Sequence, residues 1–362
     1  MPESAKCLLI GSTEAYSGKS ATVLGVAHQL KERGIKIAYG KPLGSFWRGT
    51  PGTGVEEDVQ FVAQTLNLPS DRVLPTILAL DDQSIQQRIL GQNQINYQQT
   101  LTEYYQPRNA DLVLLEGTAN LEEGSIFNLS LQQMAEALNA QVLLVARFHS
   151  LLVAGAIMSA HRRLGDRLLG AVINDVPEDR LEEVTTTLKP FLERQGIRIL
   201  GIMPRSDLLR SVSVGQLAQQ LHAEVLCRAD RLDLMVESLS IGAMNVNSAL
   251  KYFRKGRNMA VITGGDRTDI QLAALETSTQ CLILTGQMPP SKDVLHRAED
   301  LEIPILSVDL DTLTTVEIVD RAIGQVRIQE PVKVRNLYQL MAQHFDLDRL
   351  IQELGLEPAI PV

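Results

Sequence analysis

The chain has 362 residues, 44% hydrophobic and 21% charged, with a formal net charge of −9, a globular mixture long enough for two domains. The acidic balance and an aromatic content of 4% exclude sequence-independent nucleic-acid binding, which needs clustered Lys and Arg or a stacking platform. No apolar run nears the roughly 18 residues that span a bilayer, MPESAKCLLIGS lacks the pattern of a secretory leader, and three cysteines without metal-ligand spacing (Cys7, Cys227, Cys281) fit a reducing cytoplasm.

In chain order, KCLLIG (6–11), IKIAYGK (35–41), DLVLLEG (111–117), QVLLVAR (141–147), LLGAVIN (168–174) and IRILGIM (197–203) predict strands. Each is nearly continuous in apolar residues, as strands covered on both faces are. Helical patterns such as SATVLGVAHQLKERG and SLLVAGAIMSAHRRLG lie between them. This alternation predicts a parallel sheet with right-handed crossovers. Past MPRSDLLRSVSVGQLAQQL the strand pattern restarts with 223–227, 259–265, 280–286 and 303–309. The expected organisation is a parallel-sheet α/β domain over 1–212, a smaller α/β domain over 213–325, and a helical tail over 326–362. The tail is amphipathic and docks on the body or on a partner.

The stretch STEAYSGKS (12–20) follows the first strand and opens a helix. A phosphate-binding loop needs that order, because uncapped amides and the helix dipole favour an anion, a lysine adds a point charge and the next hydroxyl ligates Mg²⁺. Gly18, Lys19 and Ser20 supply these parts, with the backbone of Thr13, Glu14, Ala15, Tyr16 and Ser17 as the cradle. The glycine that usually opens the loop is replaced by Thr13, with Gly11 two places earlier. SGKS alone also reads as a helix start with Ser17 as N-cap.

Four further residues support this reading. Lys41 follows the second strand, at the carboxyl edge where a parallel sheet keeps its ligands; it equally reads as a surface lysine before a proline turn. Glu116 ends the third strand, where an acid holds Mg²⁺ directly or through water or caps a loop. Asp58 begins a helix, where the dipole also favours an acid. Asn174 ends a strand, where an amide reads an adenine edge or serves a turn.

Taken as an ordered set, STEAYSGKS, GKP, EED, LLEG, VIN and GIMPR resemble the dethiobiotin synthetase-like branch of the P-loop proteins, which includes the amide-forming enzymes of cobyrinate synthesis. The resemblance is nearest to the front region of long-form phosphate acetyltransferases and covers about the first 210 residues. It implies an ATP and Mg²⁺ site: Lys19 and its loop amides cradle the phosphates, Ser20 holds Mg²⁺ with Asp58 and Glu116, Lys41 places substrate and phosphate, and Asn174 lies beside the adenine. Lys19 and Lys41 would be the catalytic pair. The loop EGTANLEEG departs from the glycine-rich substrate loop of the synthetases at Thr118, Ala119 and Asn120. The second block resembles the DRTGG domain of the same acetyltransferases, on ITGGDRTDIQLAAL. That resemblance implies a regulatory domain forming symmetric pairs. Thr263–Thr268 reads as an anion-binding loop, or as a tight turn with an Arg–Asp pair and Asp266 or Thr268 as helix cap.

The implied function is a cytoplasmic, Mg-ATP-binding regulatory or scaffold protein with slow or no ATP turnover. It would be a homo-oligomer through its second domain, open to a protein partner, and bind neither nucleic acid nor membrane. Ending at Val362, it is not expected to act as an acetyltransferase on its own. The alternatives are an ATP-dependent ligase for a small carboxylate or carbamate, and a partner-binding subunit that has lost its ligand. Lys19 bonded to protein carboxylates would mark the last.

Overall fold

Six strands make the first sheet: β1 (Lys6–Ser12), β2 (Ile37–Gly40), β3 (Leu112–Glu116), β4 (Gln141–Arg147), β5 (Leu168–Val176) and β6 (Ile199–Pro204). All their pairings are parallel, in the order β6-β5-β4-β1-β3-β2. This is a computed structural model of the chain, describing residues 5–44, 47–48, 55–105, 109–324 and 328–358; the expected junction at 325 and 326 lies outside them. All six expected strands of this sheet form. Helix α1 (Lys19–Glu32) leaves β1 toward β2, while β4 pairs on the other side of β1. That reversal is a switch point, where an open α/β sheet leaves a crevice at its carboxyl edge. Register aligns the ends: Ile10 faces Glu116, Ser12 faces Val145 and Arg147 faces Asn174. Helices α2 (Glu57–Thr65), α3 (Leu131–Ala137) and α4 (Val153–Leu164) complete this part of the fold.

The chain divides into two compact units, Met1–Arg205 with Ile328–Val362, and Ser206–Arg327. The second unit has a five-stranded sheet: β7 (Glu224–Cys227), β8 (Ser238–Ile241), β9 (Met259–Gly264), β10 (Thr279–Thr285) and β11 (Ile305–Val308), in the order β7-β11-β10-β9-β8. Only β7 runs antiparallel. Side chains alternate between two apolar layers. Val261, Leu282 and Leu284 pack with α5 (Val246–Phe253), α6 (Thr268–Leu275) and α7 (Lys292–Asp300); Ala260, Ile262 and Ile283 pack with Leu217 and with Val319 of α8 (Thr312–Gly324). Burial on both faces explains why β9 and β10 read as nearly unbroken apolar runs.

After the second unit the chain returns to the first as α9 (Pro331–His344) and α10 (Leu347–Leu354). Helix α9 lies along α1: the His28 and Tyr338 rings stack at 3.6 Å, and Met341 fills the space left by Gly25, where a Cβ would stand 2.5 Å from its Cγ. Asp346 N–H donates to Leu200 O at 2.7 Å, and Arg33 pairs with Asp348 at 2.8 Å. The amphipathic tail therefore docks on its own chain. Burial lowers the His28 pKa, which fits a packing role for that ring. Among the described residues no helix is long and apolar enough to cross a membrane.

Candidate nucleotide site

The loop between β1 and α1 is built for an unmet partner. Tyr16 and Gly18 both take positive φ, at 56° and 93°. Gly18, not Ser17, occupies the N-cap position, and no side chain caps the helix; the Ser17 hydroxyl is buried with no hydrogen-bond partner in the structure. Thr13 N–H donates to Val145 O at 3.2 Å. Among the described residues the main-chain N–H groups of Glu14–Gly18 donate to no main-chain carbonyl. Uncapped amides at a helix start are the ready-made half of an anion site. Glu14 turns away to His149, at 2.7 Å, and the Tyr16 side chain is exposed.

The charged half stands beside it. Lys19 Nζ donates to Glu116 Oε1, and the Ser20 hydroxyl donates to the same oxygen at 2.7 Å. The Tyr39 hydroxyl donates to Glu116 Oε2 at 3.1 Å. Glu116 is 1% exposed. Burial alone would raise its pKa, but the ammonium groups of Lys19 and Lys41 and these hydrogen bonds bring it down to about 2, so it is ionised at neutral pH. Burial and the neighbouring Glu116 push the Tyr39 hydroxyl well up.

Lys41 is buried. Its ammonium donates to Glu56 Oε1 at 2.6 Å and to Asp58 Oδ2. Burial opposes that charge, but Glu116, Asp58 and Glu56 together raise its pKa above the ordinary lysine value. Glu56 also accepts the Val59 N–H at 2.9 Å, which caps α2. Lys41 is therefore a member of a buried charge cluster and not a surface residue.

Asn174 closes the far side. Its Nδ2 donates to Ser17 O at 2.8 Å, and a Cβ on Gly18 would stand 2.1 Å from that nitrogen. Next to it Asp175 pairs with Arg147 at 2.8 Å and Arg205 at 3.1 Å. The loop after Glu116 is held by Gly117 N–H on Ile10 O at 2.8 Å and by the Ser12 hydroxyl on Ala119 O at 2.9 Å.

The structure thus brings Lys19, Ser20 and Glu116 into one contact, Lys41 and Asp58 into a second, and Asn174 against the loop backbone. Glu14 and Tyr16 stand apart from these contacts. Sequence reasoning missed Glu56, Tyr39, Arg147, Asp175 and Arg205. Two of them had a local signal: Tyr39 lies on β2 two places before Lys41, and Arg147 is the last residue of β4.

In the second unit, β9 runs into Gly264–Gly265 and then α6. Neither Asp266 nor Thr268 caps that helix; Arg267 holds the N-cap position without a side-chain bond. Arg267 pairs with Asp269 at 3.3 Å and donates to Met244 O at 2.9 Å. Gly265 N–H donates to Thr285 O and Arg267 N–H to Gly264 O, both at 3.1 Å, which leaves this loop fewer unused amides than the first.

A strand, an amide-lined loop and a Gly-Lys-Ser helix start define a P-loop protein, and the comparisons agree. The chain belongs to the AAA domain family, whose AAA_26 model matches residues 6–213, and carries a DRTGG domain matched over residues 216–322. It is similar to phosphate acetyltransferase of Nitratidesulfovibrio vulgaris, at 28% identity over 95% of this chain and 51% of the relative, and to that of Synechocystis, at 24% identity over 96% and 51%. A probable cobyric acid synthase of Methanothermobacter thermautotrophicus is 25% identical over 57% of this chain and 46% of its own length. The chain spans about half the length of these relatives.

Proposed function

We propose that the first unit binds a magnesium–nucleoside triphosphate, with ATP as the ligand, and that the chain acts in the cytoplasm as a regulatory or scaffold module with slow or no turnover. The observation that carries this reading is the convergence of Lys19 and Ser20 on one buried carboxylate oxygen, beside a loop whose amides are unused. Triphosphate oxygens supply the acceptors that those amides lack, and a second anionic partner for Lys19. Mg²⁺ is usually bound by one or two protein oxygens together with substrate phosphates. Ser20 and Glu116, with Asp58 nearby, are a matching donor set, and no larger cluster of metal-ligating side chains occurs among the described residues. When bound, Mg²⁺ would neutralise phosphate charge. Lys41, held by Glu56 and Asp58, would set the position of a terminal phosphate or second substrate. The DRTGG domain would carry the regulatory output and homo-oligomer contacts.

Two observations favour other readings. Lys19 bonded to Glu116 is what a subunit that has given up its ligand would show. The buried Lys41–Glu56–Asp58 cluster, with the likeness to a probable cobyric acid synthase, supports a ligase acting on a small carboxylate or carbamate. Calorimetry separates them. A nucleotide-binding module releases heat with Mg-ATP, and Lys19→Ala abolishes it. A ligase in addition releases phosphate only when a carboxylate such as 7,8-diaminononanoate plus bicarbonate is present. No heat with the unaltered chain refutes both in favour of the lost-ligand subunit.

A further inference from the structure

One part of the first unit turns large aliphatic side chains to solvent. In the helix Asp82–Ile89 and the loop that follows it, Ile89 is 73% exposed, Leu90 60% and Ile95 52%. Ile126, in the helical turn Ser125–Phe127, is 46% exposed. Arg88 gathers the four. Its Nε donates to Ile126 O at 3.0 Å, and its Nη1 donates to Asn93 O at 2.9 Å and to Ile95 O at 3.2 Å. Its guanidinium lies 5.7 Å from the centre of the Phe127 ring, which meets the Tyr97 ring edge-on at 5.6 Å. The apolar side chains therefore stand on a fixed frame.

Four aliphatic side chains this exposed present on the order of 400 Å² of apolar surface, a size that on monomers is often functional. The charge around them narrows the partner. Arg88 is the single charged residue in 83–102 and is engaged inward on three carbonyls. Residues 83–99 include nine glutamines and asparagines. Asp81 and Asp82 stand at the other end of the helix, about 10 Å from Ile89 at 1.5 Å per residue. Near Ile126, Glu122 pairs with Arg163 and Glu123 accepts the Ala119 N–H, so both carboxylates already have partners. An anionic lipid surface finds no outward cation in 83–102 to hold. A chain of net charge −9 repels its own copies over most of its surface, because a carboxylate set against its symmetry mate meets a like charge. A stretch without carboxylates lacks that penalty. Each amide side chain carries both donor and acceptor, so it can pair with its own mate across a two-fold axis.

We infer that the surface around Ile89, Leu90, Ile95 and Ile126 is where two copies of this chain meet, as an isologous pair formed through the first unit. The contact is separate from any made by the second unit, and it does not depend on nucleotide. About 400 Å² from each copy is roughly half the share of a standard interface, so the pair is weak and reversible, with a dissociation constant on the order of 10 µM.

The test is sedimentation equilibrium of the full chain without nucleotide, from about 1 to about 200 µM, a range that brackets that constant. The average mass is expected to rise about twofold across the range, and to do so equally at about 0.5 M salt, since screening weakens ionic contacts and not apolar ones. In I89E/I126E, which alters exposed side chains, the rise is expected to disappear while the circular dichroism spectrum is unchanged. As an independent measurement, I95C treated with a short bismaleimide is expected to give a cross-linked dimer above the background of the unaltered chain, and to lose it when combined with I89E/I126E. A constant mass over the whole range overturns the inference and leaves the surface to a different partner. A mass rise that persists in folded I89E/I126E overturns it and moves the association to another surface, such as the second unit. An I95C link no stronger than background also overturns it.

Discussion

Glu116→Gln removes the one buried charge that Lys19, Ser20 and Tyr39 share. In the folded chain the Glu116 pKa lies at about 2 against an ordinary 4.5. Each pH unit is worth about 1.4 kcal/mol, so the ionised carboxylate contributes about 3 kcal/mol of folding stability at neutral pH. The sign follows from the depressed value: the contribution is fully present above pH 4.5, fades as pH falls toward 2, and is gone below. Glutamine keeps the shape and one acceptor oxygen but leaves the Lys19 ammonium without its counter-charge. Urea unfolding of the unaltered chain and of Glu116→Gln, followed by circular dichroism at pH 7, 5, 4 and 3, measures the difference at each pH. A gap of about 3 kcal/mol at pH 7 that narrows steadily below pH 4.5 is expected. A gap independent of pH, or one that widens on acidification, would refute the assignment of Glu116 as an ionised, Lys19-paired group.

Three further outcomes follow from other contacts. Gly18→Ala forces a Cβ to 2.1 Å from Asn174 Nδ2 at a φ of 93°; it should cost about 2–3 kcal/mol from the left-handed strain and a lost hydrogen bond, seen in the same denaturation assay, and should weaken nucleotide binding. Lys41→Met leaves the Glu56 and Asp58 carboxylates without their cation and should cost about 3–5 kcal/mol, the usual result of orphaning a buried charge. Because the Lys41 pKa is raised, its contribution is complete below pH 10.5 and is lost only at more alkaline pH, so the penalty should be flat from pH 7 to 9 in thermal melts. Gly25→Val crowds Met341 and should loosen α9 from α1, read as faster tryptic cleavage within 331–354 while the rest of the chain stays resistant.

The strands of the first sheet were legible because both faces are covered, which turns each into an unbroken apolar run. β8 escaped notice: SLSI alternates serine with apolar residues and is only half-buried, so its composition does not separate it from a loop. The antiparallel setting of β7 was equally invisible, since local pattern carries no strand direction. The destination of α9 rests on Gly25 meeting Met341 and on His28 meeting Tyr338, contacts more than 300 residues apart that no local signal encodes. In the site, Lys19, Ser20 and Glu116 were readable because a helix start and a strand end are local features. Glu56 drew no reading from the sequence: it caps α2, as acids at helix starts commonly do, and nothing nearby in sequence reveals its bond to Lys41. The alternative reading of Ser17 as the N-cap fails because the helix starts one residue later, after the left-handed Gly18, and the Ser17 hydroxyl is buried without a partner.

The central claim is that a triphosphate draws Lys19 and Ser20 away from Glu116. A crystal structure of the full chain grown with Mg²⁺ and a non-hydrolysable ATP analogue tests it directly. The account predicts phosphate oxygens against the amides of residues 14–20, with Lys19 Nζ moved from the Glu116 carboxylate onto them. Crystals from saturating nucleotide in which that loop is empty and Lys19 still rests on Glu116 would contradict it.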